Sequence, residues 1–352
     1  MIRPSFSIGI EEEYQTIDPV TRDLRSHIHS EILPRAKLAT MDRAKPELHQ
    51  AVVEVGTKVC RDIQEAREDI LDLRRQMITL TSESGMWLAA ASTHPFADWR
   101  AQEIYPDDRY KQVVEDLQLV ARANLVFGLH IHVGIEDRNT AIHIMNSMRY
   151  FLPHILALSS NSPFWEGTKT GFKSYRSKVF ERFPRTNIPD IYANWAEYET
   201  FFNTLEVRVC DIPMRLDETM AIAALIQATV GMLWDLHAKN KSYRIYSRAL
   251  IMENKFRAAR YGIDGKLIDF GREEEVPMHD LMLEYIDLIS DAARQLGCEK
   301  EIAYIHEMLR MGTGADRQLK VYEETGDLKK VVDYIVAETR VGVMQEAPAL
   351  QA

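Results

Sequence analysis

The stretch Phe6-Ser-Ile-Gly-Ile-Glu-Glu-Glu-Tyr-Gln15 opens as an apolar strand and then carries three consecutive carboxylates. Side chains on a strand alternate between faces. Glu11 and Glu13 therefore share a face with Gly9, while Glu12 points the other way with Ile8 and Ile10. Two carboxylates on one face repel unless a cation or base sits between them. Hard divalent cations such as Mg²⁺ take such oxygen ligands. Taken alone, the run reads equally well as a solvated charge run at a strand end.

Two later stretches repeat the device. Phe127-Gly-Leu-His-Ile-His-Val-Gly-Ile135 places His130 and His132 on one face of a strand. Thr204-Leu-Glu-Val-Arg-Val-Cys-Asp211 places Glu206 and Arg208 on one face, with Leu205, Val207 and Val209 on the other. Each stretch is apolar on one side and chemically equipped on the other. Three of them in one chain predict a sheet with a functional concave face, although alternation does not give the strand order.

At these residues the chain resembles the carboxylate–amine ligases of the type 2 glutamate–cysteine ligase family. The matching pieces begin with Gly9-Ile-Glu-Glu-Glu-Tyr14, Pro46-Glu-Leu48 with Val53-Glu-Val-Gly-Thr57, Thr93-His-Pro-Phe96 and Gly128-Leu-His-Ile-His-Val-Gly134. They continue through Leu156-Ala-Leu-Ser-Ser-Asn-Ser-Pro-Phe-Trp165, Ser174-Tyr-Arg176, Thr204-Leu-Glu-Val-Arg-Val209 and Arg257-Ala-Ala-Arg-Tyr-Gly262. They run in family order over nearly the whole chain. The resemblance implies an α+β fold, a curved, mainly antiparallel β-sheet flanked by helices and glutamine-synthetase-like, with residues 1–352 forming a single ligase domain.

The formal net charge of −10 argues against a nucleic-acid platform. The cysteines, Cys60, Cys210 and Cys298, are scattered and odd in number, which fits reduced thiols in the cytoplasm better than a disulfide framework. The N-terminus passes almost directly into the first strand and leaves no room for a cleavable leader. The apolar run Met220 to Trp234 contains Gln227 and is short for a membrane span, so it reads as a buried helix. No Walker-type glycine-rich loop is present, which leaves a sheet-based nucleotide site rather than a P-loop.

Along the chain, Glu47 to Val55 reads as one strand. Glu47 and Glu54 then face opposite ways unless Glu47 lies outside the strand or a bulge intervenes, and the family resemblance favours their convergence. Helices are expected over Arg61–Ser82, Asp107–Ala123, Thr140–Ser160 with a kink at Pro153, and Asp217–Leu236 with Asp217 as a possible N-cap. His94 precedes a proline and reads as a structural or substrate-edge histidine rather than a metal ligand. Lys169, Lys173, Arg176, Lys178, Arg182 and Arg185 form a basic segment in an acidic protein, either a solvated loop or an anion-binding one.

The resemblance also implies chemistry. A substrate carboxylate attacks the γ-phosphate of ATP, and an amine then displaces phosphate from the acyl phosphate to form an amide, with weak glutamate–cysteine ligase activity. Glu11, Glu13, Glu54, His130 and Glu206 would hold Mg²⁺. Arg208 and Arg176 would act on the reacting carboxylate or phosphoryl charge, with His132 at the substrate. Arg257 and Arg260 face either nucleotide phosphates or surface acids. The expected partners are a small carboxylate and a small amine, with no nucleic acid and no membrane; a homodimer is left open. Two other readings stand beside this one: a metal-dependent amide hydrolase built on His130 and His132, and a non-catalytic ATP-binding member of the family.

One departure concerns the junction Trp195-Ala-Glu-Tyr-Glu-Thr-Phe-Phe202, Asn203, Thr204. Relatives of that family carry a loop and a further strand here. A helix-like run entering a strand with almost no turn is unusual. It fits either a true deletion or residues missing from the sequence as written, and the abruptness favours the latter.

Overall fold

Alternation in the first strand is what organises the sheet. A computed structural model of the chain describes residues 2–27, 32–184, 186–199 and 206–344. Strand β1 (Ile8–Ile17) buries Ile8, Ile10, Glu12 and Tyr14, while Gly9, Glu11 and Glu13 stay partly open. The other strands of the main sheet are β2 (Ala44–Pro46), β3 (Val52–Gly56), β4 (Trp87–Ala89), β5 (Gly128–Val133) and β6 (Val207–Asp211). Their order is β2-β3-β1-β5-β6, and every pair is antiparallel. β4 pairs the Gln15–Ile17 end of β1, beyond the part that β5 pairs. The expected antiparallel α+β fold is therefore present.

The closed face of the sheet packs on helices. The helix Ile63–Glu83 presents Ile63, Ile70, Leu73 and Met77 at core spacing and is capped by Asp62, whose side chain accepts from the Glu65 N–H at 2.8 Å. The helix Leu216–Ala238 is apolar nearly all round. It is long and apolar enough to cross a membrane, but 83% of its most apolar window is buried inside the protein. A helix without a polar face belongs in a core, and that is where this one lies. The third glutamate of the opening run joins this side. The Glu12 carboxylate receives Arg74 Nη2 at 2.5 Å and Thr219 Oγ1 at 2.7 Å and is also bonded by the Tyr14 hydroxyl. Both members of the Glu12–Arg74 pair are fully buried.

Several boundaries differ from those expected. Glu47–Val55 is not one strand: Glu47 lies between β2 and β3. Thr140–Ser160 is two helices, Arg138–Met148 and Leu152–Ser159, and Pro153 occupies the first turn of the second, where its missing N–H costs nothing. Asp107–Ala123 divides at Gln118, whose φ of 49° leaves the helical region. Asp217 is not the N-cap of its helix. Arg215 holds that position, its N–H bonded by the Glu218 carboxylate at 3.1 Å, and Asp217 pairs with Arg67 instead.

Candidate active site

The open sides of β3, β1, β5 and the start of β6 converge on one group of side chains. Register sets the placement: Glu13 is opposite Glu54, Glu11 opposite His130, and Gly9 opposite His132. Glu206 immediately precedes β6. His130 Nδ1 lies 3.3 Å from Glu11 and 3.9 Å from Glu206, and its Nε2 lies 3.9 Å from Glu13. His132 Nε2 lies 3.5 Å from Glu11 and 3.8 Å from Glu206. Three overlapping triplets result, Glu11/Glu54/His130, Glu11/His132/Glu206 and Glu13/Glu47/Glu54, each with its ligand atoms within 4.8 Å of one another. All five expected metal ligands meet here, and Glu47 joins them because the break between β2 and β3 frees it from strand alternation.

The electrostatics follow from crowding. The imidazoles of His130, hydrogen-bonded to Glu11, and then of His132, 3.5 Å from it, hold the Glu11 carboxyl well below the usual carboxylate range, and the nearby Glu11 raises the pKa of His132. Burial raises the pKa of Glu54, with the charges of Glu11 and Glu13 adding to it. Burial, then Glu13 and Glu54, push the Glu47 carboxyl up to about 8. Lys45 lies 3.7 Å from Glu54, and Glu13 takes the Gly128 N–H at 2.5 Å.

The arginines are delivered by different routes. Arg208 projects from β6, is half exposed, and pairs with Glu206. Arg176 begins the short helix Arg176–Phe180 and is buried. Its placement depends on Asp211 at the end of β6, which the sequence reading passed over. The buried Asp211 carboxylate accepts from the Asn161 N–H at 2.8 Å, Ser162 Oγ at 2.6 Å and Ser174 Oγ at 2.9 Å. The Arg176 N–H in turn donates to Ser162 Oγ at 3.0 Å. The Arg176 guanidinium then crosses Gly128, where a Cβ would fall 2.4 Å from Nη2. Glycine is needed at that position for the close approach. Arg176, Arg208, Glu13, Glu47, His130 and Glu206 all border one cavity of about 600 Å³.

Other expected residues lie elsewhere. The structure does not bring Arg257 and Arg260 to this cavity. Arg257 pairs with Glu253 and Glu275, both at 2.8 Å, and Arg260 lies against Phe172 and Tyr261. His94 is structural. Its Nε2 faces the Arg22 carbonyl at 2.9 Å, and its Nδ1 accepts the N–H groups of Phe96 and Ala97. Of the basic segment, Lys173 binds Asp264 and Asp316, and Lys169 binds Glu323. Arg185 and the junction at residues 200–205 lie outside the described residues.

Comparisons with known proteins cover nearly the whole chain. The family model described as glutamate-cysteine ligase family 2 matches residues 7–205 and 201–334. A protein named "Putative glutamate–cysteine ligase 2" from Solibacter usitatus is 58% identical, covering 100% of this chain and 97% of its own length. A protein of the same name from Herpetosiphon aurantiacus is 50% identical, over 96% of this chain and 94% of its own. Among solved structures, glutamate–cysteine ligase from Francisella tularensis in complex with AMP aligns over 97% of this chain and 90% of its own with a TM-score of 0.69, at 13% identity. A bifunctional glutathione synthetase from Pasteurella multocida gives the same TM-score at 11% identity, over 96% of this chain and 52% of its own. The two family matches meet at residues 201–205, the abrupt junction noted in the sequence. The alignment with the Solibacter usitatus protein spans 376 positions against 352 in this chain, so that relative has residues with no counterpart here.

Proposed function

Because the chain belongs to glutamate–cysteine ligase family 2, we propose that the glutamate–histidine cluster on the open face of the sheet is its catalytic centre. The chain is an ATP-dependent carboxylate–amine ligase. One observation supports the placement above the rest: Glu11, Glu13, Glu54, Glu206 and His130 enter overlapping triplets of ligand atoms, and three of them, Glu13, Glu206 and His130, border one cavity with Arg176 and Arg208.

The reaction sets the requirements. A carboxylate oxygen of the acid substrate attacks the γ-phosphorus of ATP, giving an acyl phosphate and ADP. The amine nitrogen then attacks the acyl carbon, loses a proton and expels phosphate, leaving an amide. In the first step two anions must approach each other. Mg²⁺ held by Glu11, Glu13, Glu54, His130 and Glu206 would neutralise the polyphosphate charge. The donor set suits that ion, since it is dominated by carboxylate oxygens. Burial first, and then the neighbouring carboxylates, raise the pKa of Glu47 and Glu54, so their charged forms are costly here without a cation.

Arg208 and Arg176 bind oxyanions on the substrates. Their planar guanidinium groups suit carboxylate and phosphoryl oxygens. His132, partly exposed and with its Nε2 3.5 Å from Glu11, is proposed to contact the substrate beside that carboxylate. Glutamate is proposed as the acid and cysteine as the amine, with the chain working as one ligase domain. The buried free thiols of Cys60, Cys210 and Cys298 suit the cytoplasm.

ADP release with Mg²⁺ across a panel of amino acids and amines tests the reading. It should depend on both an acid and an amine and leave an amide in the product. Amide cleavage without ATP would replace the ligase reading with the hydrolase one. ATP binding without turnover for any pair would leave a binding protein.

A further inference from the structure

Arg176 shares the cavity wall with a second buried cation, Lys255, on the helix Arg248–Tyr261. Lys255 is 5% exposed. Its Nζ donates to Glu181 Oε1 at 2.9 Å and to Asn187 Oδ1 at 2.7 Å. Glu181 does not serve Lys255 alone, because Lys178 Nζ lies 3.0 Å from its other oxygen. Arg176 adds a further positive charge. Arg176 is 3% exposed; its guanidinium lies over the Phe180 ring and hydrogen-bonds only the Arg208 carbonyl, at 3.3 and 3.4 Å. Its Nε has no hydrogen-bond partner, and among the described residues it forms no ion pair.

Glu181 therefore serves two lysines, while Arg176, buried on the same wall as Lys255, has no ion-pair partner among the described residues. A buried charge is costly unless it is paired and hydrogen-bonded. Burial lowers the pKa of Lys255, and the charges of Lys178 and Arg176 work against the support from Glu181. The negative groups that act on Arg176 and Lys255 are Asp211, whose oxygens are taken by Asn161, Ser162 and Ser174, and Glu181, which Lys178 shares.

We propose that Arg176 and Lys255 form an oxyanion subsite of the cavity, which a carboxylate or phosphate group of a substrate completes. Glu181 and Asn187 are positioning residues that hold Lys255 to the wall. The subsite deepens the ligase reading, on which the choice between its two ligand sources rests: the carboxylate of an amino acid or a phosphate of ATP. The competing account makes Lys255 only a tie between its helix and the Arg176–Phe180 helix. Lys178 separates the two accounts. It binds the same Glu181 but does not border the cavity.

The test is calorimetric binding of inorganic phosphate, Mg–ATP and L-glutamate to the full chain and to three variants. Lys255→Met removes the charge, and Lys255→Gln removes it while keeping an amide donor for Glu181 if the methionine variant does not fold. Lys178→Met is the control. The expected result is a loss of tenfold or more in phosphate affinity at position 255, with affinities in the control within twofold of the parent. A matching loss for glutamate assigns the subsite to a substrate carboxylate; a matching loss for Mg–ATP assigns it to a nucleotide phosphate. The subsite is overturned if the parent binds none of the three probes, or if the variants at 255 stay within twofold. Equal losses at 178 and 255 also overturn it and make Lys255 a structural tie. Absence of ADP release while phosphate binding still depends on Lys255 would sink the ligase reading and leave the subsite standing.

Discussion

Glu13 and Glu54 stand directly opposite each other on the antiparallel pair of β1 and β3. Like charges in that relation destabilise a sheet by roughly 0.2–1 kcal/mol. Here a third carboxylate, Glu47, brings its oxygen within 4.8 Å of theirs. Such an arrangement weakens the empty fold and prepares it for a cation. Glu54→Gln should therefore raise the melting temperature of the metal-free protein by about 2 °C, as roughly 0.5–1 kcal/mol of repulsion is removed. The same variant should lose the stabilisation that Mg²⁺ confers on the parent. Thermal melts with and without Mg²⁺ check both effects, and an unchanged Mg²⁺ response would remove Glu54 from the ligand set.

The Glu47 carboxyl carries a pH signature. Its folded pKa, about 8, lies above the ordinary value of 4.5. Over that interval the folded chain holds a proton that the unfolded chain has lost, so stability falls as pH rises. Metal-free protein should melt progressively lower from pH 5 to pH 8, and Glu47→Gln should flatten that slope. His132 contributes in the same direction, because its raised pKa gives stability present below 6.5 and lost as pH rises through the folded value. Glu11 acts oppositely: its depressed pKa gives stability that is lost only on acidification. Mg²⁺ should shrink the alkaline loss by replacing the protons. A Glu47→Gln slope identical to the parent's would place the raised pKa elsewhere.

Adjacent glutamates on β1 should fail differently. Glu12 and Arg74 form a fully buried pair. Removing one partner strands the other, at a cost of roughly 3–5 kcal/mol. Glu12→Gln should thus lower the denaturation midpoint sharply, whereas Glu13→Gln should keep the fold and lose ADP formation. Chemical denaturation paired with an ADP assay separates the two. Normal turnover in Glu13→Gln would sink its metal role.

That contrast shows what the sequence made legible. Period-two alternation sorted Glu11 and Glu13 from Glu12, and grouped His130 with His132 and Glu206 with Arg208, since strand geometry leaves no other choice. It could not supply the partner of Glu12, because Arg74 arrives from a helix some sixty residues away. Glu47 escaped the rule because its position depends on where one strand stops. Asp211 and Lys255 carried no local signal at all: their roles arise only when the loop after Ser159 and the helix Arg248–Tyr261 close on the sheet. Arg257 and Arg260 show the converse. A basic helical face looks the same in sequence whether it meets phosphate or surface glutamates.

Gly128→Ala probes the packing of Arg176. The added Cβ would fall 2.4 Å from Arg176 Nη2, closer than real contacts allow, and 3.1 Å from His130 Nε2, tighter than most. The guanidinium must then move out of the wall. The variant should stay folded and lose at least tenfold in kcat/KM for the substrate whose anion Arg176 binds. A double variant with Arg176→Ala should lose little more than the single one, since both remove the same group from the same place. Additive losses would show that Gly128 acts independently of Arg176.

Arg208 separates oxyanion recognition from metal binding. It pairs with Glu206, and both residues border the cavity. A positive charge beside a Mg²⁺ site is repelled by the ion unless an anion lies between them. The anion that best fits is a substrate carboxylate or the transferring phosphoryl group. If so, the ion pair with Glu206 holds Arg208 ready until a substrate enters. Arg208→Lys keeps the charge and loses the planar fork. It should retain the fold and the affinity for Mg–ATP while losing most amide formation, at a cost of roughly 2–4 kcal/mol in transition-state stabilisation. Steady-state kinetics with the acidic substrate varied, read beside nucleotide binding, distinguishes the cases. An unchanged kcat/KM would place Arg208 outside the reacting centre. A collapse of the fold would make the Glu206 pair its whole purpose.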